Sequence, residues 1–446
     1  MDADKKAVWG WALYDWANSA FATTVMAGFF PVFFKSYWSH GVDVNVSTAQ
    51  LGFGNSMASF LVALMAPLLG AIADKGLALK GFMLFFAYMG AAMTASLFWV
   101  GEGRWVVAIC VYAMAIVGFS GANVFYDALL PHVAGEKRVD YISSLGYSMG
   151  YLGGGLLFLA NVLMTLMPHR FGLADAATAV RVSFVSVALW WGLFTLFPVA
   201  WVPQAATSTR SGLWQWTMDG LRQLSGTFRK VRYLKTVLLF LVAYWLYIDG
   251  VDTIIRMAVD YGMSIGFATT DLITALLVVQ FVGFPAALVF GKLGQDWGVR
   301  RSIYLAIGIY ILITLWGTLM TSREEFYVLA VLIGMVQGGI QALSRSYYSR
   351  LIPRNQAGEF YGFYNMMGKF AAILGPSLMA VVGLAARRLL MPVSPSSEQL
   401  LHVSRLASRW SMASVLVLFA LGAALLSFVD EEKGKREALH LADKLP

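Results

Sequence analysis

The chain has 446 residues, 59% hydrophobic and 13% charged, with a mean hydropathy of +0.66 and a formal net charge of +8. A soluble domain carries about 25% charged residues, so composition excludes an ordinary water-soluble protein, and 30 Phe, 15 Trp and 21 Met are easier to place against lipid than in one soluble core. The single Cys110 excludes a disulfide framework and a cysteine-rich metal site.

The opening MDADKKAVWG has two acids, two lysines and no cleavage site closing an apolar run, so it does not read as a secretory signal. A membrane span needs about 20 mostly apolar residues. That length predicts spans near 16–36, 50–73, 81–100, 105–128, 143–167 and 180–202, then 236–257, 269–290, 302–320, 325–344, 361–385 and 409–429. The expected organisation is an N-terminal six-helix bundle over 1–202, a linker over 203–235, a C-terminal six-helix bundle over 236–429 and a tail over 430–446. Lys and Arg concentrate on the side that holds both termini and the linker, which predicts cytoplasmic termini. The linker sequence LWQWTMDGLRQLSGTFRKV suits either an amphipathic helix on the inner leaflet or a plain basic connector. The positive charge is spread over short loops, so no nucleic-acid partner is expected.

Span one opens with YDWANSAF, where Asp15 and Asn18 share a helical face near Ser19. Asp15 reads either as a proton- or cation-holding group or as an interfacial acid at a helix N-terminus. Span four ends in GANVFYDALLP, with Asn123 and Asp127 one turn apart and close to the cytoplasmic side, suited to a gate or to transport chemistry. Span seven carries YIDGVDTIIRM. Asp252 and Arg256 are spaced i,i+4 for an ion pair, and Asp249 lies roughly 21 Å beyond Lys235 at 1.5 Å per residue, past the midplane. These three read as an outer-half substrate or proton site, or as an Asp–Arg network closing the outer gate. Spans ten and eleven add Gln337, Gln341, Arg345, Asn365 and Lys369. Lys369 reads as a cavity base that could bind a carboxylate, or as a snorkelling side chain. Ionisable groups inside spans are costly and are functional candidates by default. The candidate substrate or coupling-ion set is therefore Asp15, Asn18, Asn123, Asp127, Asp249, Asp252, Arg256, Gln337, Gln341, Asn365 and Lys369. Five scattered histidines offer no metal site, and there is no phosphate-binding GKS/GKT loop and no Ser–His–Asp arrangement. An enzyme is not expected, and no cofactor; energy would have to come from a proton or sodium gradient.

The halves echo one another. GAIADKGLALKG follows span two and GKLGQDWGVRR follows span eight; Ala-Gly-Glu recurs at 134–136 and 357–359. Two echoes at corresponding places argue for a duplicated six-span unit. Gly-x-x-x-Asp-Lys/Arg-x-Gly loops at these positions resemble the major facilitator superfamily. The loop candidates for a cytoplasmic gate are Gly70, Asp74, Lys75 and Gly76, with Asp296, Arg300 and Arg301 in the second copy, where Trp297 stands in place of the base. YDWANSAF, YIDGVDTIIRMA, QALSRSYYSRLIP and EFYGFYNMMGKFAAILGP resemble the Atg22-like branch, also called UMF1, over nearly the whole chain. That resemblance implies an all-α integral membrane protein with twelve transmembrane helices in two bundles, placed multi-pass in the bacterial cytoplasmic membrane as a monomer. It implies a secondary transporter that moves a small solute by alternating access, with spans one, four, seven and ten lining the path. Fungal relatives are described as amino-acid exporters. Peptides, sugars and amphipathic lipid precursors stay open as substrates, and a transporter-shaped sensor or scaffold stays open as a different class.

Overall fold

The computed structural model describes residues 3–42, 44–76, 79–135, 138–203, 234–264, 268–370, 374–391 and 397–443. Within these, the side chains of Asp74, Lys75 and Arg256 also lie outside the described set, so the proposed Asp252–Arg256 pair does too, as does most of the 203–235 linker.

The described chain is all helix. In order it forms α1 (Ala3–Ala20), α2 (Val44–Gly76), α3 (Leu79–Ser96), α4 (Trp105–Val133), α5 (Val139–Leu166) and α6 (Ala176–Trp201), then α7 (Lys235–Ser264), α8 (Thr269–Trp297), α9 (Val299–Leu319) and α10 (Arg323–Leu351). The remainder is α11 (Ala357–Phe370), α12 (Leu374–Leu390), α13 (Ser397–Ala413), α14 (Val415–Ser427) and α15 (Glu431–Asp443). Twelve helical segments are long and apolar enough to cross a membrane, the first running Asp4–Trp38. α1 continues without a break through π-helical turns at Phe21–Phe29 and Phe34–Trp38.

That first segment corrects the expected start of span one. The helix begins near Ala3, which places Asp15 about 18 Å inside it at 1.5 Å per residue, not at its mouth. A hydropathy window stops at Lys5, Lys6 and Asp15; the helix does not, because Trp11 and Tyr14 before the acid and Ala17 after it are buried. The eleventh span supplies α11 and α12, with residues 371–373 between them outside the described set. The last is in two, α13 and α14, meeting at Ser414.

α1 packs on α5 and α6, and α4 on α3 and α2; in the second half α7 packs on α14, and α8 and α9 on α10. The α1–α5 seam is close because α5 is glycine-rich there. A Cβ at Gly150 would meet Ser19 Oγ at 2.5 Å and one at Gly153 would meet the Trp16 carbonyl at 2.6 Å. The halves meet along α5–α8, α2–α11, α5–α10 and α4–α11. Side chains cap the starts of α6 and α10, the latter through Ser322. Asp175 accepts the Thr178 N–H at 2.7 Å at the start of α6, and that bond holds its carboxyl below the usual range.

The ends of α4, α6 and α10 and the starts of α1, α5, α7 and α15 share one face. Gly10 lies against Trp201, and Gly434 against Leu351 and Thr236. This is the terminal face below.

Candidate functional site

Arg345 is the centre. It sits on α10 with 3% of its side chain exposed, and its guanidinium is held by residues from the other half of the protein. Nη1 donates to Asp127 Oδ1 at 3.1 Å and Nη2 to Asp15 Oδ2 at 3.3 Å. Nε donates to Ser143 Oγ at 3.0 Å, and Nη2 also donates to the Ser143 carbonyl at 2.9 Å. Arg suits this place because its planar fork donates in several directions at once and keeps its charge when buried. The rings of Tyr147, Trp11 and Tyr126 lie 4.4, 4.8 and 5.4 Å from its central carbon.

Each partner is itself fixed. Tyr126 Oη donates to Asp15 Oδ2 at 2.7 Å, and Trp11 Nε1 donates to the Tyr126 carbonyl. Asn365 Nδ2 on α11 donates to Asp127 Oδ2 at 3.0 Å, and Tyr361 Oη to the Arg345 carbonyl at 3.1 Å. Gly146 leaves room for Asp15: a Cβ there would collide with the carboxylate. Asn18 donates to Asn123 Oδ1 at 2.6 Å, tying α1 to α4 just beside the ionic cluster. Helices α1, α4 and α5 thus present two carboxylates and a serine to one guanidinium from α10, with an amide from α11 alongside.

Of the sequence candidates, the structure brings Asp15, Asn18, Asn123, Asp127 and Asn365 together. It does not bring Asp249 into the cluster. That carboxylate accepts the backbone N–H groups of Gly375 at 2.9 Å and Leu374 at 3.0 Å and the Thr253 hydroxyl at 3.2 Å, so it caps the first described turn of α12 from α7. Asp252, Gln337, Gln341 and Lys369 are half-buried. The Gln337 carbonyl oxygen is buried without a hydrogen-bond partner among the described residues.

Arg345 is among the polar residues of spans ten and eleven but is not in the candidate set; the expected tenth span ends at residue 344, one residue short of it. α10 runs on to Leu351. The available signal was pairing: two span acids, Asp15 and Asp127, had no base assigned to them. Ser143, Tyr126 and Trp11 carried no signal separable from ordinary packing.

Around this cluster the terminal face is closed. A Cβ at Gly70 on α2 would collide with the Gly358 carbonyl of α11, and one at Gly291 on α8 would lie 2.6 Å from Ser144 Cβ of α5. These two glycines open the two echoed loop motifs, so the repeat places equivalent contacts on both sides of the gap. Gly76 ends α2. Asp296, Arg300 and Arg301 are exposed on the same face; Arg300 donates to the Val429 carbonyl at 3.2 Å and does not reach the other half by hydrogen bond among the described residues. Among the described residues, the hydrogen bonds that join the halves come from Ser143, Ser148, Arg345, Arg350 and Asn365, all between the terminal face and the middle of the bundle.

Residues 3–387 match the family model described as "Vacuole effluxer Atg22 like". The chain is 37% identical over 424 residues to YxiO of Bacillus subtilis, described as an MFS-type transporter, covering 95% of this chain and 94% of that one. It is 22% identical to autophagy-related protein 22 of Coccidioides immitis, covering 99% and 89%. Among solved structures it is similar in fold to the human organic anion transporter MFSD10, with TM-score 0.67, 14% identity and coverage of 96% and 100%. It is similar also to the major facilitator proton:xylose symporter XylE, with TM-score 0.65, 13% identity and coverage of 99% and 98%.

Proposed function

The chain belongs to the Atg22-like family of the major facilitator superfamily, and on that premise we propose that it carries a small solute across the bacterial cytoplasmic membrane by alternating access. The observation that carries this reading is Arg345 of one half held by Asp15 and Asp127 of the other. A bond set of this kind exists only while the halves are together on the terminal face, and it must be surrendered for that face to open. The terminal face is read as cytoplasmic from the placement of Lys and Arg, so this is the outward-facing arrangement of a protein acting as a monomer.

Two carboxylates on one guanidinium carry a net negative charge. When the gate opens they lose their counter-ion together, and like charges left side by side repel. A proton, a sodium ion or a cationic group of the substrate relieves that repulsion, and a proton suits the site because a like charge close by favours the neutral form of a carboxyl. The family's description as effluxers and the mixture of acid and amide groups support export of a small zwitterion of the amino-acid type.

The test starts with a thermal-shift screen of metabolites on purified protein. A stabilising solute is then loaded into proteoliposomes with an imposed pH gradient. Accumulation that follows the gradient, and is abolished by Asp15→Asn, supports the reading. Binding without any translocation in either direction would replace it with a sensor.

A further inference from the structure

α15 is the one described helix that follows the last span, and it docks. Gly434 and Ala438 are buried one turn apart while Glu432, Lys433 and Arg436 on the other side are exposed. Gly434 has to be small: a Cβ would lie 2.5 Å from Leu351 Cδ2 and 3.0 Å from Thr236 Cγ2. Glu437 Oε2 accepts the Thr236 N–H at 3.3 Å, satisfying a free donor in the first turn of α7. Both contact helices, α7 and α10, belong to the second half.

The helix reaches the first half through one residue. Arg350, near the end of α10, donates through Nη2 to Asp140 Oδ2 of α5 and through Nη1 to Glu431 Oε1 of α15 at 3.2 Å. Lys435 Nζ lies 3.1 Å from the same Glu431 oxygen and 3.3 Å from Glu432 Oε1. Burial would lower the Lys435 ammonium, but its bonds to Glu431 and Glu432 outweigh that and push it up. Charges therefore alternate along Asp140, Arg350, Glu431 and Lys435, with Asp140 1% and Arg350 17% exposed. Elsewhere α15 stands off from the first half. A cavity of about 580 Å³ has Pro131, Ala134 and Val139 on one wall and Arg350, Lys435 and Ala438 on the other.

We propose that docked α15 is a latch on the terminal-face gate: Glu431 holds Arg350 in the pose that reaches Asp140, and so favours the state closed on that face. The latch rests on the alternating-access reading above. Its cause is entropic as much as ionic. An arginine carries several free rotamers, and fixing them is a cost of every pairing it makes. With Glu431 in place that cost is met before the halves close; with α15 undocked it falls on closure itself. The helix follows the last span and is joined to α14 by a short connection, so it can undock without moving any span.

The test reads gate opening without a substrate. Ser144 is fully buried where α5 meets Gly291 of α8, close to the terminal face. In a C110S background, Ser144→Cys reports opening by its rate of alkylation in membranes with that face accessible. Glu431→Gln should raise the rate about threefold and Gly434→Leu, which undocks the helix, about tenfold, the scale of a partly exposed ion pair and of a lost docking contact. Gly70→Leu, which wedges α2 from α11, is the positive control. Ser183→Cys, buried in α6 away from the gate, controls for general loosening. Unchanged rates in Glu431→Gln and Gly434→Leu with a raised rate in Gly70→Leu would overturn the latch and leave alternating access standing. Unchanged rates in all three would overturn both. A rise at Ser183→Cys equal to that at Ser144→Cys also counts against the latch.

Discussion

Replacing Arg345 by Met tests the cluster most directly, since it keeps length and removes charge. The wild-type side chain makes four hydrogen bonds into the other half and lies over three aromatic rings. Without it, Asp15 and Asp127 stay buried, with Tyr126 and Asn365 as the other side-chain donors bonded to them among the described residues. Removing one partner of a buried ion pair costs about 3–5 kcal/mol, because the remaining charge keeps its desolvation penalty. The cost falls on the state closed at the terminal face, where the carboxylates are buried. At about 1.4 kcal/mol per tenfold, the ratio of closed to open protein should drop by about two to four orders of magnitude. Alkylation at Ser144→Cys should then approach the rate of an open site. The triple variant Arg345→Met, Asp15→Asn, Asp127→Asn removes the whole charge set and should recover most of the closed population, since a fully neutral replacement is often close to isoenergetic. If Arg345→Met alkylates no faster than the parent, or the triple variant behaves like the single one, the bridge does not hold the gate.

Three further outcomes follow from other parts of the molecule. Lys433→Cys, exposed on α15, should react with an impermeant thiol reagent only when the cytoplasmic side is accessible; labelling from outside intact cells would reverse the topology. Gly70→Ala and Gly291→Ala each place a methyl against the facing half, and each should raise Ser144→Cys alkylation, with Gly70 the stronger because its methyl would overlap the Gly358 carbonyl more deeply than the Gly291 methyl overlaps Ser144 Cβ. Asp249→Asn should keep folded yield within about twofold while Asp249→Ala loses three hydrogen bonds, each worth about 1 kcal/mol, and falls much further. Equal yields from Asn and Ala at 249 would remove the capping role.

The membrane fold was legible because length and apolarity alone identify a span, and all twelve spans were placed from them. Their ends were not, and the site sat at those ends. Asp15, at the expected mouth of span one, lies well inside α1, and Arg345, just beyond the expected end of span ten, lies inside α10. Both errors have one physical cause: a charge that is paired across the bundle costs a helix little, but a hydropathy window counts it as solvent-exposed. The Asp249 cap was hidden for a related reason. Two of its partners are the backbone N–H groups of Leu374 and Gly375, and no residue type in the sequence marks a backbone donor. The tail over 430–446 read as a polar cytoplasmic tail, although Gly434 and Ala438 mark a narrow face suited to docking.

The arrangement of the cluster also limits how the gate can work. Asp15 and Asp127 come from α1 and α4 of one half, and Tyr126, from the same half, bonds one of them. They therefore move together. Opening does not trade one carboxylate for the other; it withdraws the guanidinium from both at once. Asn365 and Tyr361, which belong with Arg345 in the second half, withdraw with it. What stays behind is a pair of acids with one tyrosine hydroxyl among their bonded partners, in a wall that has just become accessible to water and ions. A carrier that cycled with both acids ionised and uncompensated would meet that electrostatic cost on every turnover. On the proposed reading, a cation that enters with opening and leaves with closing avoids the cost, and this requirement ties the solute's passage to a gradient.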